Sequence, residues 1–184
     1  MNSSIHENDI HMAHSKTIYG PWTLYATYFT NSNETIKIDC SFTNPSPTFD
    51  NQTSKFHLAF TARYCHNGLE ALDIAVAESW KGPYTIITKQ PILPKPWLCL
   101  SQIQFEDPFL YSNKRGFHLI IHSMCPSGFW NSAHAFSENA INWRLSKSML
   151  YSYLVKVKSK RFFQIFLGEC VISLFLIQKV THLI

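Results

Sequence analysis

Glycine is scarce in this chain of 184 residues, six against nine prolines, and charged residues make up only 15%. With 46% hydrophobic residues, neither a disordered nor a fibrous class fits. Zinc-type spacing is missing as well. Cys40, Cys65, Cys99, Cys125 and Cys170 form no C-x-x-C pair and no Cys/His pattern, so no metal and no cofactor is implied. Basic density across a surface is also lacking. The formal charge of +4 comes from Lys156, Lys158, Lys160 and Arg161; without those four, 12 basic side chains balance 12 acidic ones, which argues against nucleic-acid binding. The N-terminus MNSSIHENDIH has no basic segment followed by an apolar one, so a signal peptide is not expected.

What the chain does have is aromatic residues, 15% of the total (Trp 5, Tyr 8, Phe 14). Combined with proline in excess of glycine, they suit short strands and turns better than long helices, so the expected class is all-β. An internal repeat supports this. Phe56-His57-Leu58 and Phe117-His118-Leu119 match at an offset of 61, and an ungapped alignment at that offset sets Ser46-Pro47 against Asp107-Pro108. A second mark, Ala-x-Ser followed by an aromatic residue, occurs at Ala13-His14-Ser15, Ala77-Glu78-Ser79 and Ala135-Phe136-Ser137. It leads to Trp22, Tyr84 and Trp143, the first two through Gly-Pro.

The repeats predict strands at about 47–49, 56–61, 72–77 and 84–88, then again at about 108–111, 117–122, 133–137 and 141–144. Asn113 to Gly116 reads as the hairpin between two of them. Several strands per repeat describe a propeller blade better than a helical solenoid, with a β-sandwich of accidental internal similarity as the competing architecture. The expected organisation is a partial β-propeller of about two and a half blades over 1–150 (half blade 9–30, blade 44–88, blade 105–150), followed by a divergent tail over 151–184. In that tail Phe162 to Ile177 is an apolar run of 16 residues broken by Gln164 and Glu169. This is short of the roughly 20 that a bilayer span needs, so a membrane anchor is disfavoured and a non-homologous end is preferred. The half blade at the start leads to the same expectation of a fragment.

The stretch FEDPFLYSNKRGFHLIIHSM with HAFSENAINW, preceded by AVAESWKGPY, resembles the arabinanase, levansucrase and invertase group of five-bladed propeller glycoside hydrolases, near glycoside hydrolase family 43. The resemblance covers about residues 9 to 150 and implies carbohydrate as the partner. In that group, carboxylates from different blades converge on a central pocket, because one must protonate the leaving oxygen while another attacks or activates water. Asp107, in Glu106-Asp107-Pro108, matches the group's Asp-Pro strand and is the candidate for the stabilising aspartate. The bland reading is an aspartate that caps a turn.

Glu106, His122, Trp130 and His134 are the candidate substrate contacts. Trp130 would be a stacking platform. His134 follows Ser132-Ala133, where the group has Gly-Gly, which puts close backbone approach to a ligand in doubt. Ser46, set against Asp107, offers no carboxylate, so the catalytic set is expected to be incomplete and the chain inactive. Glu78 and Glu106 are the remaining acids that could complete it. A non-catalytic carbohydrate- or protein-binding propeller fragment is the alternative, and a fragment tethered to a membrane through 162–177 is a third. An open arc also exposes inter-blade faces, so self-association is expected. The group is often secreted, and the sequons at Asn2, Asn33 and Asn51 suit that.

Overall fold

The computed structural model describes residues 10–31, 41–63, 70–88, 91–93, 104–124, 130–147, 154–156 and 162–164. All five cysteines and two of the three sequon asparagines, Asn2 and Asn33, lie outside them. The chain forms two compact units, Met1–Leu150 and Tyr151–Ile184. Every regular element among the described residues is a strand, and the expected all-β class holds.

In the first unit, β1 (His11–His14) and β2 (Thr23–Ala26) make a two-stranded antiparallel sheet. The second sheet holds β3 (Phe29–Asn31), β4 (Ser41–Asp50), β5 (Lys55–Arg63), β6 (Glu70–Ala77) and β7 (Tyr84–Ile86), in the order β3-β7-β6-β5-β4. The third holds β8 (Gln104–Asn113), β9 (Gly116–Met124), β10 (Trp130–Ser137) and β11 (Arg144–Leu145), in the order β11-β10-β9-β8. None of these sheets closes on itself among the described residues. Phe29–Asn31, expected with the first half repeat, pairs in parallel with β7 and so belongs to the second sheet. In the second unit, β12 (Leu154–Lys156) and β13 (Phe162–Gln164) form an antiparallel pair. The rest of the divergent tail lies outside the described residues.

The middle sheet is apolar on both faces, which is why β5 is buried almost throughout rather than alternating with exposed polar residues. On one face Leu58, Phe60, Ala75, Tyr84 and Ile86 pack with Ile10 and Met12 of the first sheet's segment. On the other, Ala59, Leu72 and Ile74 pack with Phe105, Leu110, Phe117, Leu119 and Ile121 of the third. Three sheets are therefore stacked face to face, each burying one side of the next.

Strand pairing corrects the register of the repeat. Phe56, Leu58 and their neighbours do align with Phe117 and Leu119 at 61, since each occupies the same place on the second strand of its sheet. The first strands do not. Asp50 pairs with Lys55 across a four-residue turn, whereas Asn113 pairs with Gly116 across the two residues Lys114 and Arg115. The shorter turn changes the offset to 113 − 50 = 63, which sets Asn44-Pro45 on Asp107-Pro108 and Ser46 on Phe109. Ser46 is thus not the counterpart of Asp107.

The Ala-x-Ser marks slip by two residues in the same way. Leu58 faces Ala75 and Leu119 faces Ala135, so Ala135 corresponds to Ala75 and Ser137 to Ala77. Tyr84 and Trp143 do correspond, and each hands its polar end to a turn carbonyl: Tyr84 Oη donates to Trp80 O at 3.0 Å and Trp143 Nε1 to Ala140 O at 2.9 Å. Packing, not binding, explains their recurrence.

The tight β8–β9 turn depends on Gly116, whose φ of 136° is unfavourable for any residue with a Cβ. A Cβ there would lie 2.4 Å from Ser137 O and 2.9 Å from the Glu138 Cα, both backbone atoms that cannot yield. Gly116→Ala is expected to cost on the order of 2–3 kcal/mol, measured as a fall in the urea midpoint at unchanged slope. A variant as stable as the parent would mean that the turn is formed differently.

Candidate functional site

The edge strands β4 and β8 each carry an irregularity at the same place. Pairing to the neighbouring strand is interrupted between Thr43 and Ser46 and between Glu106 and Phe109. Proline has no N–H to offer a ladder, so within sheets it is tolerated at edges and bulges, and Pro45 and Pro108 sit in these two. The residues before them, Asn44 and Asp107, have φ of 51° and 49°, a region that asparagine and aspartate enter more readily than most residues. The two bulges are structural copies.

Their side chains meet. Asn44 Nδ2 donates to Asp107 Oδ1 at 2.7 Å, and His122 Nδ1 lies 3.7 Å from Asp107 Oδ2, close enough for an ion pair once the imidazole is protonated. About a third of the Asp107 side chain is exposed, while His122 is largely covered (34% and 12%). The site is therefore a solvent-facing carboxylate held from one side by an amide, with an imidazole behind it. Glu106 pairs with His122, and His122 with Ser132, so these three share one row and one face of the third sheet. Among the described residues no group of His, Cys, Asp and Glu is arranged to hold a metal ion.

His134 lies one row further along that face, opposite Ile120. Its Nε2 is 3.0 Å from His118 Nδ1, and His118 Nε2 is 2.9 Å from Asn113 Nδ2. Because Asn113 Oδ1 accepts from Arg115 N at 2.8 Å, the amide is oriented with its NH2 toward His118. His118 then accepts at Nε2 and donates from Nδ1 to His134. Burial, with the His134 and Arg115 charges adding to it, holds the His118 pKa below its ordinary value, in keeping with a neutral ring. Trp130, the expected stacking platform, opens β10 and pairs with Met124, and its side chain lies outside the described residues.

His57, which matches His118 in the repeat, occupies the same position one sheet earlier. It is buried against Phe117, ring centroids 4.5 Å apart, and burial lowers its pKa despite the opposing pull of Asp50. The residue missed from sequence is Asn44. The signal was present as Phe42-Thr43-Asn44-Pro45 against Phe105-Glu106-Asp107-Pro108, and an ungapped offset of 61 hid it.

Two expectations follow. Asp107→Asn, which tolerates the left-handed backbone, should stay within about 1 kcal/mol of the parent in thermal unfolding, whereas Asp107→Val should lose roughly 2 kcal/mol. Equal losses would deny the strained bulge.

His57, which is buried, and His118, which is partly covered, set a pH dependence. Their pKa values are lowered on folding, so the unfolded chain takes up protons first, and stability held above the ordinary histidine range is lost on acidification through it. Urea unfolding at pH 7 and at about pH 5 should show a drop that is smaller in His57→Phe; an equal drop in both would assign the acid sensitivity elsewhere.

No protein-family model matches the chain, and no curated protein does.

Proposed function

We propose that the stacked sheets are successive blades of a partial propeller resembling the arabinanase, levansucrase and invertase group, and that the chain recognises carbohydrate at Asp107 without cleaving it. The observation that supports this best is the twinned bulge: two copies of one strand feature bring Asn44 and Asp107 together, and only one of the pair is a carboxylate. Propeller blades are antiparallel sheets packed face to face with their first strands nearest the centre, which agrees with the way β4 and β8 lie together. Glycoside cleavage needs a proton donor to the leaving oxygen and a second carboxylate to attack or to activate water. An amide at Asn44 performs neither task.

What an exposed carboxylate, an amide and an imidazole do well is hydrogen-bond hydroxyl groups: the carboxylate accepts and the other two donate. Vicinal hydroxyls of a sugar ring match that set. His122 beside Asp107 would add a further donor when protonated. Glu106, in the same row as His122, is the acid adjacent to Asp107 in sequence.

The purified chain should therefore show no detectable turnover of arabinan, xylan, fructan or aryl glycosides, while binding of soluble oligosaccharides measured by titration calorimetry should weaken at least about fivefold in Asp107→Ala. Turnover abolished by Asp107→Asn would overturn the non-catalytic reading. Binding unchanged in Asp107→Ala, or no binding by the parent, would overturn the site.

A further inference from the structure

Among the described residues the stack has two open faces, and each is the repeat counterpart of a face that is covered inside it. At the first sheet, Ala13 and Leu24 pair in one row, facing away from Met12 and from the middle sheet. The matching row of the middle sheet is Ala75 and Ile86, with Tyr84 matching Trp22. There Ile86 is 2% exposed and Tyr84 1%, because the first sheet covers them; Leu24 is 56% exposed and Trp22 60%.

The third sheet shows the same contrast on its far side. Ser46 and His57 of the middle sheet point at the third and are buried. Their counterparts Phe109 and His118 point outward, and Phe109 and Tyr111 remain exposed at 37% and 36%.

That outer face is divided: polar in the row of Glu106, His122 and Ser132, and apolar in the rows nearer the β8–β9 turn. Position by position along the repeat, Ser46 becomes Phe109, Thr48 becomes Tyr111, Ala59 becomes Ile120 and Val76 becomes Phe136. These four gains in bulk lie in the two rows nearest the β8–β9 turn, whereas toward Asp107 the same face turns polar, with Leu72 replaced by Ser132, Ile74 by His134 and Thr43 by Glu106. The face is also laterally ordered, since Tyr111 stacks on His118 with centroids 4.7 Å apart and planes 6° from parallel.

We infer that these two faces are the halves of one interface, and that a second copy of this chain covers them. The Leu24–Trp22 face of one copy would seat on the Phe109–Tyr111–Phe136 face of the next, continuing the sheet-on-sheet packing that already joins the three sheets within a copy. Such a contact is heterologous: it uses two different patches, and it yields a closed ring if the rotation between copies closes and an open chain of copies if it does not. It requires nothing of the sugar-binding reading, only the stacking.

The test uses full-length chain in sedimentation velocity, from about 1 to about 100 micromolar, a range that brackets a transient-to-moderate interface. The parent should show a concentration-dependent mass above that of one chain. Leu24→Glu and Phe109→Glu, both at exposed positions, should each weaken association at least about tenfold, because a buried unpaired carboxylate opposes contact from either side. Mixed together they should form a one-to-one pair and nothing larger, since each variant keeps the face that the other has lost. Trp22→Lys and Tyr111→Lys form a second such set should either glutamate variant lose its far-ultraviolet strand signature. A parent that stays monomeric throughout would overturn the inference, as would single variants that associate undiminished or a mixture that stays monomeric.

Discussion

Strands β4 and β8 lie side by side at the edges of two different sheets and share no backbone ladder, yet side chains join them along their length. Leu110 N donates to Ser46 Oγ at 2.8 Å, Ser112 Oγ to Phe49 O at 3.2 Å, Gln52 Nε2 to Asn113 O at 3.0 Å, and Asn44 Nδ2 to Asp107 Oδ1 at 2.7 Å. An edge strand has backbone groups that need partners, and a seam of this kind supplies some of them without fusing the sheets. It also sets where one sheet sits on the other. The core beneath it, from Ala59, Leu72 and Ile74 to Leu119 and Ile121, can interdigitate only with that placement.

The seam explains why the candidate site lies where it does. Its last bond is the site itself: Asp107 is held by Asn44 because two equivalent bulges are brought edge to edge. Most of the restraint on the carboxylate comes from backbone, through a left-handed residue followed by proline, and one amide completes it. His122 approaches from the neighbouring strand of the same sheet, so its distance to Asp107 depends on the bulge rather than on the seam. Position and charge are thereby separated.

Nor are the polar groups inside the stack left without partners as a rule. Asp50 is nearly fully buried at the end of β4, yet its pKa is lowered: the burial that would raise it is outweighed by bonds from Thr53 Oγ1 at 2.6 Å and from the Thr53 and Gln52 amides, each at 3.2 Å. Asp73, buried beside Phe60 on the opposite side, accepts from Thr88 Oγ1 at 2.5 Å. His57 Nδ1 is an exception, buried with no partner, and that is consistent with a ring kept neutral by its surroundings.

Composition, apolar runs and turn residues were enough to establish strands in place of helices, because period-2 alternation and aromatic bulk are local properties that survive without neighbours. The resemblance, by contrast, is what singled out Asp107, and these local properties had no part in that. They could not determine register. Side chains on a strand repeat every two residues, so a slip of two leaves every residue on its proper face and every apolar position still apolar. That is why Ser46 stood where Asn44 belongs, and why Ala77-Glu78-Ser79 stood where Ala75-Val76-Ala77 belongs. Only hairpin pairing counts the residues in each turn, four after Asp50 and two after Asn113, and only sheet stacking brings the two bulges into contact. Residue types and their alternation determined the kind of structure; the meeting of Asn44 with Asp107 was decided by tertiary structure, since a bond between side chains 63 positions apart has no local cause.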